Sequence, residues 1–184
     1  MQADTQAIAR LIREIGELEI PSSGTSMRPL IREGDRCRFV PLADRPSLGD
    51  ILLVAEADGR LVGHRLIRVA ETGGETLYIC KGDSNLNPDA PARANQIIGK
   101  MTDIRKRRFV MHADQGLARW WGRLLMRRPG LSRIIRLYLR AERGLRRLRQ
   151  PKGGQAAAGG PASAGKPREA GYEHPHAGKK RGSL

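Results

Sequence analysis

From Ile20 to Met101 the chain is built of short apolar runs separated by turn residues, with none of the sustained helical periodicity that a core helix requires. Residues 36–40, 50–54, 60–69 and 76–80 read as strands. Asp58–Gly59 is a hairpin signal between two of them, and Gly73–Gly74 marks another turn. Many short strands and few helices predict a mainly β fold, a twisted sheet or partly closed barrel. The ends are different. Ile8, Leu11, Ile12, Ile15 and Leu18 recur at helical spacing and predict an amphipathic helix over 4–18, with Asp4 or Thr5 as its N-cap. That helix packs on the domain edge, its narrow apolar stripe being less suited to a shallow membrane contact.

Charge divides the chain further. The 184 residues carry a formal +15, yet residues 1–103 hold 13 Lys/Arg against 15 Asp/Glu, while residues 104–150 hold 15 against 2. The basic third therefore needs a purpose of its own. Two helices are expected there, over 114–128 and 131–149, broken at Pro129–Gly130. Beyond Gln150 the chain is rich in Gly, Ala, Pro and Lys, with too few large apolar residues to offset the entropy of ordering, and reads as disordered. His174 and His176 in that tail read as solvated. The organisation expected is thus 1–19 helix, 20–108 β domain, 109–150 basic helices and 151–184 tail.

Ser26 lies in Ser-Gly-Thr-Ser-Met-Arg-Pro, 23–29, on a turn that would expose its hydroxyl. A serine needs a neighbouring base to act as a nucleophile, and His64, in Val-Gly-His-Arg, can supply one. The acidic loop Lys-Gly-Asp-Ser-Asn-Leu-Asn-Pro-Asp, 81–89, offers Asp83 and Asp89 to hold the imidazole, a choice the sequence leaves open. Lys81 and Lys100 are rival bases, with Lys81 read as structural.

Four segments in order resemble the signal peptidase I family: Ser26-Met27-x-Pro29, Gly49-Asp50-Ile51, His64-Arg65, and Gly82-Asp83-x-Asn85 with the later Asp89. The likeness covers roughly 20–101, and a histidine at the base position is similar to the histidine branch. It implies a serine endopeptidase cutting leader-like peptides after small residues, without cofactor or metal. Ser26 would be nucleophile and His64 base, with Met27 in the groove, and Gly82 and Asn85 would support the loop. Many members have a serine two residues before the nucleophile to bind the oxyanion; here Gly24 stands there, leaving Thr25, Ser23 or backbone N–H groups to serve. Family members are commonly anchored by membrane-spanning helices, but no segment here reaches the ~18 apolar residues such a helix needs, and the N-terminus has no secretory pattern. A cytoplasmic or peripheral membrane location is expected. Trp120, Trp121 and the arginine-lined faces of 114–149 suit an anionic membrane surface better than nucleic acid. Alternative functions are a non-catalytic peptide-binding module at the membrane surface and a self-cleaving repressor-type protease. Cys37 and Cys80 are expected to be buried and reduced.

Overall fold

Short apolar runs separated by turns pair side by side into one antiparallel sheet. The computed structural model describes residues 2–149, so the tail reading, His174 and His176 fall outside the described residues. Helix α1 (Gln2–Ile15) leads into strands β1 (Leu18–Pro21), β2 (Arg36–Val40), β3 (Ile51–Ala55), β4 (Leu61–Thr72) and β5 (Glu75–Lys81). Then come β6 (Ala92–Arg93), a 3₁₀ turn at Ala94–Gln96, β7 (Ile97–Arg105), β8 (Val110–His112), and helices α2 (Gly116–Arg127) and α3 (Leu131–Arg149). All pairings are antiparallel, in the order β1-β2-β7-β3-β4-β5-β6. β8 also pairs with β7, continuing the lane that β3 leaves. The fold is mainly β, and the sheet does not close.

Strand β3 shows how the core is divided. Ile51 and Leu53 enter one cluster with Ile12, Met27, Phe39, Met101 and Ile104, whereas Leu52 and Val54 enter another with Leu66, Tyr78 and Cys80. Both faces of β3 are therefore covered, which is why its sequence is an unbroken apolar run instead of an alternation. The turn at Gly73–Gly74 joins β4 to β5 with both glycines at positive φ, 60° and 79°, as a tight primed hairpin requires.

Three sequence expectations need correction. The first helix ends at Ile15, because Gly16 adopts φ 85° and its N–H returns to the Ile12 carbonyl. Leu18 consequently opens β1 and does not extend the helical stripe. Asp4 and Thr5 lie inside the helix, and the Thr5 hydroxyl donates to the Gly59 carbonyl at 2.6 Å. Second, β7, β1, β6 and β8 were not anticipated as strands; β8 carries the sheet past the boundary expected at 108. Third, Trp121, read with Trp120 as facing a membrane surface, packs against the main core cluster, in which Ala118 of α2 is fully buried. Residues 1–149 form a single compact unit.

Candidate active site

The nucleophile loop follows β1 and is fixed from behind by the acidic loop. The Ser84 N–H donates to the Ser26 carbonyl at 2.8 Å, and the Ser84 hydroxyl to the carbonyls of Thr25 and Ser26 at 2.9 and 3.1 Å. Because a trans peptide sets N–H opposite C=O, the Ser26 N–H is turned away from the Ser84 loop. Gly82 permits this docking. A Cβ there would stand 2.9 Å from the Ser26 Cβ and 2.8 Å from the Asn85 side-chain nitrogen, so no other residue fits without displacement. The Asn85 N–H donates to the Gly82 carbonyl at 2.9 Å and closes the turn.

His64 sits on β4 opposite Leu52 of β3 and is 7 % exposed. Its Nε2 accepts from the Ser26 hydroxyl at 2.9 Å, and its Nδ1–H donates to Asp89 Oδ2 at 2.7 Å. Asp89 is held in turn by its own N–H, which donates to the Cys80 carbonyl at 2.9 Å. The structure thus brings Ser26, His64 and Asp89 into one line of two hydrogen bonds.

Asp83 is not part of that line, which corrects its candidacy as the partner of His64. It makes a bidentate pair with Arg65, Nε to Oδ1 and Nη2 to Oδ2, both 2.9 Å, with the two side chains 2 % and 1 % exposed. Arg65 Nη1 donates to the Gly49 carbonyl at 2.9 Å, and the Trp121 indole N–H donates to Asp83 Oδ2 at 3.0 Å. Neighbouring residues of a strand point to opposite faces, so His64 and Arg65 each take their own carboxylate from the same loop. The Gly49-Asp50 motif now has a role, supplying a carbonyl to Arg65. Gly122 lies so close that a Cβ on it would stand 2.6 Å from Arg65 Nη1.

The other candidates fall as follows. Met27 is buried in the core and also lines a cavity of about 590 Å³ beside Ser26, together with Ser23, Gly24, Leu53, Val62 and His64. Gly24 is exposed at φ 78° with open space around it, whereas Thr25 is half-buried and does not line the cavity. A second cavity of about 640 Å³ lies across His64, bounded by Val54, Val62, Leu77, Asp89 and Pro91. Lys100 pairs with Asp50 at 3.5 Å, and Lys81 lines a small recess beside Arg65 and Asp83, so neither contacts Ser26. Ser84 and the Trp121–Asp83 bond were missed from sequence. Ser84 reads there as one more turn residue, and Trp121 as part of an outward face.

Cys37 and Cys80 are free and buried in separate clusters, and desolvation pushes each thiol up to about 12. Among the described residues there is no group of acidic, His or Cys side chains suited to a metal, and no helix is long and apolar enough to cross a membrane. No protein-family model matches the chain, and no curated protein matches it significantly.

Proposed function

We propose that the protein is a serine endopeptidase of the signal-peptidase type, with Ser26 as nucleophile, His64 as general base and Asp89 as its orienting carboxylate. The observation that carries this reading is the pair of hydrogen bonds from Ser26 through His64 to Asp89. Ser26 Oγ attacks the scissile carbonyl while Nε2 takes its proton. Asp89 keeps Nδ1 protonated, so that Nε2 is free to accept, and stabilises the imidazolium that forms. His64 then returns the proton to the leaving amine. Water, activated by the same imidazole, releases the acyl group from Ser26. The Ser26 N–H, turned away from Ser84, is the first oxyanion donor. Cavities on both sides of His64 suit a peptide crossing the site, with Met27, Leu53 and Val62 as an apolar wall. The open antiparallel sheet and the four motif segments support a signal-peptidase-like fold and a peptide or preprotein substrate cut after small residues.

The test is cleavage of fluorogenic peptides carrying an Ala-x-Ala site, combined with labelling by a fluorophosphonate. The expected outcome is turnover and a covalent adduct on Ser26, both reduced by about three orders of magnitude or more in Ser26→Ala and His64→Ala. A peptide bound but uncut, with no adduct, would point to the binding-module alternative. Shortened intact mass that disappears in Ser26→Ala would point to self-cleavage.

A further inference from the structure

The buried stripe of α2 is Ala118, Gly122 and Leu125, and that of α3 is Ser132, Ile135 and Leu139. Each helix nevertheless carries a second apolar stripe that no part of the described chain covers. On α2, Leu117 and Trp120 are 64 % and 57 % exposed; on α3, Ile134 and Tyr138 are 63 % and 68 % exposed. Phe109, in the loop between β7 and β8, is 57 % exposed beside them.

Phe109, Leu117, Ile134 and Tyr138 border two hollows that meet at Pro29 and Arg32. One, about 580 Å³, has apolar walls from Leu30, Phe109, Leu117 and Trp121 and a rim of Arg32, Arg107 and Arg108. The other, about 460 Å³, lies between Pro29 and the Ile134–Tyr138 stripe. Arg107, Arg108, Arg123 and Arg127 have no ion-pair partner among the described residues, while Asp35, the acidic group in the first hollow, is taken by Lys106. Fifteen basic residues against two acidic ones in 104–150 concentrate the charge here.

We propose that this face docks the protein on an anionic lipid bilayer. Phe109, Leu117, Trp120, Ile134 and Tyr138 enter the headgroup–acyl boundary, and the surrounding arginines contact anionic headgroups. Charge excludes the simplest rival, a second copy of the chain, because two such faces repel. Nucleic acid would satisfy the arginines but leave the leucine and isoleucine stripe without a partner. The same helices touch the two loops that flank the candidate site: Trp121 donates to Asp83, and Arg28 of the nucleophile loop pairs with Glu142 of α3 at 3.0 Å. Docking therefore places the Ser26 loop close to the bilayer, where a peptide emerging from lipid can reach it. This last step rests on the peptidase reading; the docking itself does not.

The test is flotation of the full chain with vesicles of phosphatidylcholine alone and of phosphatidylcholine mixed equally with phosphatidylglycerol. Binding is expected only to the anionic vesicles and should weaken with salt. Arg107→Glu/Arg108→Glu should lose binding by about tenfold or more, and Leu117→Ser/Trp120→Ser should lose it by a similar factor, with circular dichroism unchanged in both. Failure of the wild type to float at low salt overturns the proposal. So does equal flotation of the Leu117→Ser/Trp120→Ser variant. Tight binding to RNA with no binding to vesicles would assign the face to nucleic acid instead. A protein that floats but cleaves nothing refutes the peptidase reading alone; one that cleaves but never floats refutes the docking alone.

Discussion

His64 and Arg65 are neighbours in sequence and opposites in the sheet, and the site follows from that. One strand residue faces Ser26 and draws Asp89; the next faces α2 and draws Asp83. Replacing each carboxylate should therefore have a different signature. Asp89→Asn should leave stability nearly unchanged and lower kcat by roughly three to four orders of magnitude, since the imidazole then loses its tautomer control. Asp83→Ala leaves a guanidinium buried without its anion and should cost about 3–5 kcal/mol of stability. Urea melts and peptide kinetics on the two variants read both effects, and an Asp83 variant as stable as wild type would contradict the pairing. The thiols give a pH prediction. Cys37 and Cys80 are held near 12 by burial, against about 8.5 in an unfolded chain. Between those values the native state holds more protons than the unfolded one, so stability falls as pH rises through that window. The slope reaches about 1.4 kcal/mol per pH unit for each thiol. Urea midpoints at rising alkaline pH should drop less steeply in Cys80→Ala than in wild type.

At the level of elements, Trp121 joins the helical part to the acidic loop through one hydrogen bond. Trp121→Phe keeps the ring but not the N–H, and should lower stability by about 1–3 kcal/mol, as expected for a buried bond to a charged group. It should also reduce kcat more than it raises KM, because the Asp83–Ser84 loop that holds the Ser26 carbonyl loosens. Unchanged kinetics with lowered stability would make the bond purely structural. Sequence revealed part of this arrangement. β2 matched its expected bounds, β3 and β5 fell within one residue of theirs and β4 within three, and α3 matched in full, because turn glycines and apolar spacing mark those elements locally. β7 escaped notice because its residues, Ile97–Arg105, mix Gly99, Lys100, Thr102 and Asp103 among apolar positions, and its character comes from pairing with three other strands. Ser26, His64 and the carboxylate loop were legible as chemistry. Which aspartate meets the histidine was not, since that depends on the face of β4 and not on spacing along the chain.

At the scale of the whole described chain, the charge distribution separates a near-neutral sheet from basic helices, whereas the packing joins residues 2–149 into one compact unit. Ala118 of α2 shares a core cluster with Ile12 of α1 and Ile104 of β7, and Gly122 lies against the buried Arg65. Both tryptophans of the chain lie on α2, so fluorescence reports α2 and its docking on the core, while circular dichroism in the β-strand region weights the sheet. The two probes should give coincident urea transitions with one midpoint and one slope. A chain cut after residue 113 should fail to fold as a smaller version of the protein, because removing α2 strips the cover from Arg65 and Asp83. An early fluorescence transition, or a truncated chain that stays soluble with native-like dichroism, would show instead that the helices are a separable attachment. Coincidence would mean that whatever contacts the outer face of α2 acts on the same cooperative unit that holds Ser26 against His64.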